Sequence, residues 1–211
     1  MKVLVVTPSS HYASRGAAQK DIYSMIELLL EMGHKVALYT LDQLGQSDAV
    51  LDWVRDIYKI EVRKFRPTGG LFTWLRVAIF DWVLFDRSAY PFFELMHNKE
   101  FNDYVADFKP DTVLSFCSYS WPVAREFKGR GIRTVIRSHN FEPLQFWEEL
   151  ELSGKLNPYN WFRFAVKWHG ERRAVLIPDA LAAISPKELG EYQRIRAVGV
   201  FLLPLVSLTK L

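Results

Sequence analysis

The first forty residues, MKVLVVTPSSHYASRGAAQKDIYSMIELLLEMGHKVALYT, carry the pattern that decides the fold. The apolar run of residues 3–6 is typical of a strand that is covered on both faces. Apolar side chains then recur at helical spacing from Ile22 to Met32, and Gly33 stands where a left-handed residue commonly ends a helix. A second apolar run follows at residues 36–39. This order predicts two adjacent parallel strands joined by a right-handed crossover.

The same alternation of strands and helices continues along the chain. The predicted strands are residues 57–65, 112–116, 134–136, 180–184 and 200–203, and the predicted helices are residues 71–106, 122–128, 143–177 with a break near 154–158, and 187–196. We therefore predict an α/β fold with a single Rossmann-like, doubly wound, mainly parallel sheet. In such sheets, ligands bind beyond the carboxyl ends of the strands, where the strand order reverses.

Composition excludes several classes of protein. A chain of 211 residues suits one sizeable α/β domain, and 49% hydrophobic with 24% charged residues excludes a disordered chain. The net charge of +3 permits an anionic ligand but is too small for a nucleic-acid binder. Cys117 is the only cysteine, so an intramolecular disulfide and a cysteine-rich zinc site are excluded. We expect Cys117 to be a small buried side chain rather than a nucleophile, in a cytoplasmic protein without a signal peptide or membrane span.

The loop after the first strand contains Arg15, Gly16 and Ala17. Small residues let backbone N–H groups approach a ligand, and the helix N-terminus that follows favours negative charge. We therefore predict that these three residues bind an anionic group of a substrate, such as a phosphate. The loop lacks the G-x-G-x-x-G fingerprint of NAD sites and the P-loop pattern. The alternative is that Gly16 and Ala17 only allow the helix to pack tightly on the strand.

Polar residues also follow the fifth and sixth predicted strands. His139 and Asn140 come directly after the fifth strand, where an imidazole can transfer a proton or hydrogen-bond a hydroxyl or phosphate. We predict that His139 is catalytic and that its neighbours Arg137 and Asn140 bind substrate; the alternative is a loop histidine that caps the next helix. Spacing alone assigns His139 no acidic partner. Ser185 is predicted to cap a helix and to bind substrate, because that helix begins at the same cleft.

Six segments, in the order KVLVVTP, SRGAAQ, EMGHKVALYT, KPDTVLSF, RSHN and ERRAVLIPDALAAIS, span nearly the whole chain. In this order they resemble the N-terminal domain of GT-B glycosyltransferases, in particular the large retaining family with a family 4-like N-terminal domain. EMGHKVALYT resembles the family's L…GH.V.V.T run, and the last segment resembles its helix–strand–serine run. The first loop departs from the family's paired glycines, because Gly16 is followed by Ala17, whose side chain restricts φ.

The resemblance implies one half of a GT-B enzyme. Residues 1–205 would form the acceptor-binding domain, and residues 206–211 would begin the linker to a C-terminal domain that binds the donor, either in a longer chain or in a separate one. The whole enzyme would be a retaining hexosyltransferase in glycan, polysaccharide or glycolipid synthesis. It would use a nucleotide-diphosphate sugar, a glycan or lipid-linked acceptor, and no metal or other cofactor. His139 would lie near the transferred sugar and Gly16 by the donor phosphate, and the isolated chain would be inactive.

Aromatic residues make up 15% of the chain and concentrate in residues 71–93 and 159–173. In the second segment they interleave with Arg163 and Lys167, which suits a helix on a membrane surface. The alternative is an aromatic core stripe or a buried domain contact. We expect one of these segments to make a peripheral membrane contact, and the uncovered face of the domain to promote self-association.

Two other functions fit the same sequence. One is a non-catalytic acceptor-binding or membrane-recruiting subunit of a two-chain glycosyltransferase. The other is a sugar-nucleotide epimerase of GT-B fold, which needs acidic groups on either side of the sugar that the sequence does not place.

Overall fold

The computed structural model describes residues 1–8, 17–42, 48–68, 75 and 88–204. Its strands are β1 (Lys2–Thr7), β2 (Lys35–Leu41), β3 (Glu61–Phe65), β4 (Thr112–Phe116), β5 (Arg133–Arg137), β6 (Ala180–Ala183) and β7 (Val200–Leu202). Its helices are α1 (Ala17–Glu31), α2 (Asp48–Tyr58), α3 (Tyr90–Met96), α4 (Lys99–Phe108), α5 (Trp121–Gly129), α6 (Glu142–Ser153), α7 (Pro158–Leu176) and α8 (Pro186–Ile195). A short 3₁₀ helix, Ser118–Ser120, lies between β4 and α5.

The described strands form one sheet in the order β3-β2-β1-β4-β5-β6-β7. Each neighbouring pair in this order is parallel. The chain builds outward from β1 to β3 and then crosses to β4 on the other side of β1, so the strand order reverses between β1 and β4. The predicted α/β, doubly wound parallel sheet is confirmed.

The central strand β1 is covered on both faces. Leu4 and Val6 belong to the same buried cluster as Phe101 of α4. Val5, which points to the opposite face, belongs to a second cluster with Ile26 of α1. A strand buried in this way has no solvent face, which explains why its sequence is continuously apolar instead of alternating.

Two predicted helix ends are confirmed. Gly33 follows α1 with a φ of +76°, the left-handed conformation that glycine adopts without steric cost. The predicted break near 154–158 separates α6 from α7: Gly154 has a φ of +63°. Asn157 then caps α7 by accepting a hydrogen bond from the Asn160 N–H, and Pro158 occupies the first turn.

The segment before β3 differs from the prediction. The predicted strand starts at Ile57, whereas Ile57 lies in α2 and the strand starts at Glu61. Leu51 and Val54 are buried at the three-residue spacing of a helix, and they supply the apolar face that covers the sheet. Lys59 ends the helix with a φ of +51°. The strand, with its alternating buried and exposed side chains, therefore begins four residues later than predicted.

The predicted aromatic helix at 71–106 is described only in part. Residues 69–74 and 76–87 lie outside the described residues, and α3 and α4 account for the remainder. In α3, Phe92 and Phe93 are buried in the core, as the alternative of an aromatic core stripe expects. Among the helices that the structure describes, none combines the length and apolar character needed to cross a bilayer.

Candidate functional site

The predicted site residues gather at one edge of the sheet. Because all the strand pairs are parallel, the carboxyl ends of β1, β4, β5 and β6 meet at the same edge. Arg137, His139 and Asn140 lie at the end of β5, and Ser185 follows the neighbouring strand β6. This edge includes the point between β1 and β4 where the strand order reverses, which is the expected ligand position in a doubly wound sheet.

The first loop is not part of the described structure. Arg15 and Gly16 lie outside the described residues, and Ala17 is the first residue of α1. Their predicted contacts with a substrate phosphate stay predictions.

Arg137 is fully buried, with an exposed fraction of 0%. Its Nε and Nη2 both donate to the carboxylate of Asp21 on α1, with 2.6 Å between Nη2 and Oδ1. Nη1 donates to the carbonyl of Leu203 at 2.8 Å, and Nη2 also reaches the carbonyl of Pro204 at 3.3 Å. These contacts give the guanidinium an internal structural role. A direct contact between Arg137 and substrate stays a prediction that requires this ion pair to open.

Asp21 is the acidic partner that the sequence did not assign to His139. Burial by itself raises the pKa of the Asp21 carboxyl, but hydrogen bonds from His139 and Arg137 and the charge of Arg137 together bring it below its ordinary value. Asp21 is therefore an ionised carboxylate, and its two side-chain partners are the guanidinium of Arg137 and the imidazole of His139. Its Oδ2 lies 3.0 Å from Nε2 of His139.

His139 is held at both ring nitrogens. Its exposed fraction is 8%, and its ring packs 5.6 Å from that of Phe116, measured between centroids. Nε2 faces Asp21, and Nδ1 lies 3.6 Å from Sγ of Cys117. Burial raises the pKa of the Cys117 thiol to about 12, so the sulfur keeps its proton and can donate it to Nδ1. A catalytic role for His139 stays a prediction; it requires the ring to exchange one of these partners for substrate.

Cys117 has an unusual backbone conformation at the end of β4. Its φ of +70° and ψ of 144° lie in a region that side chains rarely adopt. The Cys117 N–H donates to the carbonyl of Arg137 at 2.8 Å, and its own carbonyl accepts from Ser120 Oγ at 2.7 Å. Backbone strain of this kind concentrates at functional sites. Cys117 is half-buried and not fully buried as predicted, whereas its raised thiol pKa fits the predicted lack of reactivity.

A second network holds the same segment from the opposite side. The hydroxyl of Tyr192 on α8 lies 2.5 Å from Ser138 Oγ, 3.1 Å from the carbonyl of Asn140 and 2.8 Å from Oε1 of Glu171 on α7. Glu171 is buried, and the Ser118 hydroxyl also hydrogen-bonds its carboxyl. Burial raises the pKa of Glu171 to about 8, because these hydroxyls stabilise its charge less than water does. This network is therefore uncharged near neutral pH.

Asn140 and Ser185 line one cleft between α6 and α8. The cleft is open to solvent and has a volume of about 210 Å³, and Phe141 and Leu144 form its apolar part. Polar atoms come from the side chains of Gln145, Glu148, Lys187, Glu188 and Glu191, in addition to the two predicted residues. A pocket with a small apolar wall and several hydrogen-bonding groups suits a polyhydroxylated ligand.

The predicted cap at Ser185 is confirmed. Its Oγ accepts a hydrogen bond from the Glu188 N–H at 3.3 Å, and the Glu188 carboxyl accepts one from the backbone of Ser185. This is a capping box, which the sequence S-P-K-E at residues 185–188 already indicates. Ser185 is half-buried and faces the cleft as well, so capping leaves its predicted contact with substrate open.

Asp21, Glu171 and Tyr192 are the site residues that sequence reasoning missed. The carboxyls of Asp21 and Glu171 lie on the buried sides of α1 and α7, next to apolar residues such as Ile22 and Ala174. A charged residue in that position signals an internal partner, but the spacing does not say which one. Within the described part of the chain, no group of three or more His, Cys, Asp or Glu residues could hold a metal ion.

The sequence also matches a known family. The family described as glycosyl transferase 4-like domain matches residues 16–204. The chain belongs to this family. The predicted resemblance is thus confirmed, and the sheet corresponds to one half of a GT-B fold. None of the curated protein sequences matches this chain.

Several solved structures share the fold of this glycosyl transferase 4-like domain. A sucrose-phosphate synthase from Thermosynechococcus elongatus has a TM-score of 0.61 and 13% identity, covering 96% of this chain and 47% of that protein. The glycosyltransferase SsfS6 from Streptomyces sp. SF2575 has a TM-score of 0.51 and 12% identity, covering 98% and 54%. The UDP-GlcNAc 2-epimerase from Neisseria meningitidis, bound to UDP-GlcNAc, has a TM-score of 0.55 and 14% identity, covering 96% and 46%. The chain spans about half the length of these proteins, and at such identities the likeness shows the fold alone.

Proposed function

We propose that this domain is the acceptor-binding half of a retaining glycosyltransferase that uses a nucleotide-diphosphate sugar. The supporting observation is the family match over residues 16–204, on a sheet whose carboxyl edge gathers His139, Asn140 and Ser185. The chain covers about half of the solved proteins that share its fold, so a second domain would supply most of the donor site. The transferred group would be a hexose, and the acceptor a glycan or a lipid-linked sugar.

The cleft between α6 and α8 would hold the acceptor. The amides of Asn140 and Gln145 and the hydroxyl of Ser185 offer donors and acceptors to sugar hydroxyls, and Leu144 offers an apolar surface to a ring face. His139 would lie beside the sugar being transferred, and its contact with Asp21 would orient the ring. The protein would act by positioning both substrates, with the nucleoside diphosphate as leaving group and no resident cofactor.

The test is sugar transfer by the full-length protein from UDP- and GDP-hexoses to a panel of glycan and lipid-linked acceptors. Ser185→Ala should raise the KM for the acceptor several-fold. The matched control is Asn98→Ala, which removes the N-cap of α4 outside the cleft. Both variants lose a cap, so an equal change in KM would mean that Ser185 acts on stability alone. No transfer from any of these donors would overturn the proposed function.

The predicted membrane contact is supported by an exposed apolar surface at the α6–α7 turn, here called the hairpin patch. The patch consists of Leu152, Leu156, Tyr159, Trp161 and Phe162, and Leu152 and Trp161 have exposed fractions of 90% and 52%. Lys155 and Arg163 are exposed on the same hairpin. Aromatic and aliphatic side chains beside cations suit the interface of an anionic bilayer, and this observation favours the membrane-recruiting function as a second candidate.

Vesicle co-sedimentation tests the hairpin patch. The full-length protein should bind vesicles containing anionic phosphatidylglycerol at low salt more tightly than vesicles of phosphatidylcholine alone. Trp161→Ser should reduce binding several-fold, whereas Met32→Ser, which removes an exposed apolar side chain elsewhere, should leave it unchanged. Equal binding of both variants would exclude the patch as the contact.

A further inference from the structure

We propose that Asp21 is a positioning residue that holds the His139 ring in the tautomer protonated at Nε2. The proposal rests on the proposed function and deepens it, because it explains how the imidazole next in sequence to the cleft residue Asn140 is oriented. The observations that carry it are the 3.0 Å contact between Nε2 and Oδ2 and the burial of both residues.

An ionised Asp21 can only accept hydrogen bonds, and Arg137 helps to keep it ionised. The guanidinium meets the carboxylate through two nitrogens, the paired geometry that gives the strongest hydrogen bonds of this kind. Arg137 is itself anchored by the carbonyls of Leu203 and Pro204. The carboxylate is therefore fixed in place and faces the imidazole with one oxygen.

The Arg137 guanidinium balances the charge of the Asp21 carboxylate. The neutral form of His139 adds no charge to this buried group. A neutral imidazole carries one proton. That proton belongs on Nε2, because Asp21 can only accept there, whereas Nδ1 faces a protonated thiol that can donate.

Cys117 is a weaker partner than Asp21. The distance from Nδ1 to Sγ is 3.6 Å, and a thiol is a weak donor. The structure thus assigns the choice of tautomer to the carboxylate and leaves Nδ1 as the lone-pair nitrogen. If the ring accepts a proton or a hydroxyl hydrogen bond from substrate, it does so through Nδ1, after displacing the Cys117 thiol.

Nitrogen NMR of the full-length protein labelled with ¹⁵N-histidine tests this assignment without any substrate. Comparison with His139→Gln identifies the His139 signals among those of the other histidines. In the unsubstituted protein, Nε2 should give the protonated-nitrogen signal and Nδ1 the lone-pair signal. Cys117→Ala should leave this pattern unchanged.

Two double variants remove the carboxylate without leaving Arg137 unpaired. Asp21→Leu with Arg137→Met should abolish the preference and give a mixture of both tautomers. Asp21→Asn with Arg137→Met places an amide against Nε2, whose oxygen accepts and whose NH2 group donates, so the preference for the Nε2–H form should weaken. A protonated Nδ1 in the unsubstituted protein, a tautomer change in Cys117→Ala, or full retention of the Nε2–H form in Asp21→Leu with Arg137→Met would overturn the proposal. A failure of sugar transfer alone would count against the proposed function and leave this spectrum as it is.

Discussion

Two carboxyls flank the segment 138–140, and they differ in charge although both are buried. The exposed fraction of both Asp21 and Glu171 is 2%. Burial raises the pKa of each carboxyl, but the contacts with His139 and Arg137 outweigh burial for Asp21 and lower its pKa. Glu171 meets mainly the hydroxyls of Tyr192 and Ser118, and its pKa rises to about 8. The charge of a buried acid therefore depends on its partners as well as on how deeply it is buried.

Because of this difference, the contacts on the two sides of this segment should contribute differently to stability. On the α1 side, an ion pair fixes Asp21 against His139, and breaking it would leave a charge uncompensated. On the α8 side, the neutral network of Ser138, Tyr192 and Glu171 can lose one hydrogen bond at modest cost. Loss of the Asp21–Arg137 ion pair should therefore lower the free energy of unfolding most. Glu171 should account for most of the change of that free energy with pH, between the pKa of its carboxyl in the unfolded chain and that in the folded chain.

The largest expected effect comes from Arg137→Met, which leaves the Asp21 carboxylate buried without its guanidinium. The free energy of unfolding should fall by about 3–5 kcal/mol, measured by urea denaturation at pH 7. The control is Arg194→Met, which removes an exposed pair with Glu191 and should cost about 0–1 kcal/mol. Similar losses for the two variants would show that the buried pair contributes no more than a surface pair.

The next effect separates turnover from stability at His139. In the full-length protein, His139→Ala should lower kcat roughly 100-fold or more, since that is the usual contribution of a proton-transfer group. Its free energy of unfolding should fall by only about 1–2 kcal/mol, because Asp21 keeps Arg137 as its partner. Ser138→Ala, on the neutral side, should change kcat far less. Parallel losses of turnover and stability in His139→Ala would demote the ring to a structural role.

The fold could be predicted because its signals are local. The apolar run of residues 3–6 and the stop at Gly33 each lie within a few residues of the structure they specify. The helix α2 was missed because only a few of its positions face the sheet, among them Leu51 and Val54, and the alternating strand that follows gave the stronger signal.

The site could be predicted only in part, for a related reason. The residues that leave β5 and β6 follow from strand order, so Asn140 and Ser185 are found from the sequence and meet in one cleft. The pairing of Asp21 with His139 joins residues 118 positions apart, and no spacing rule connects a helix to a distant strand end. Contacts across the sheet need the three-dimensional structure.

The third prediction concerns pH. The unfolded chain releases the Glu171 proton near the ordinary value of 4.5, whereas the folded chain holds it until about pH 8. Between these values the folded state binds more protons, so the free energy of unfolding should fall as pH rises, by at most about 1.4 kcal/mol per pH unit, and level off above pH 8. Denaturant titrations across this range should show the slope, and Glu171→Gln should flatten it.

At acidic pH, the contribution of Asp21 should have the opposite dependence on pH, which makes it a control for that experiment. The lowered pKa of Asp21 makes the folded state bind fewer protons than the unfolded state just below the ordinary value of 3.8. Stability from Asp21 should therefore be lost as pH falls through its folded-state pKa, with the sign opposite to that of Glu171. A slope between pH 4.5 and 8 that survives Glu171→Gln unchanged would assign the dependence to another group.

The smallest effect is expected for Tyr192→Phe, which removes one hydroxyl and keeps the ring that packs 5.3 Å from Phe141, between centroids. The hydroxyl joins Glu171 to Ser138, so its loss should cost about 1–2 kcal/mol in the free energy of unfolding at pH 7. Because the hydroxyl stabilises the ionised form of Glu171, its removal should also raise the pKa of that carboxyl further and extend the pH slope above 8. A loss as large as that of Arg137→Met would mean that the neutral network stabilises the fold as much as the ion pair does. The two sides would then differ in charge alone.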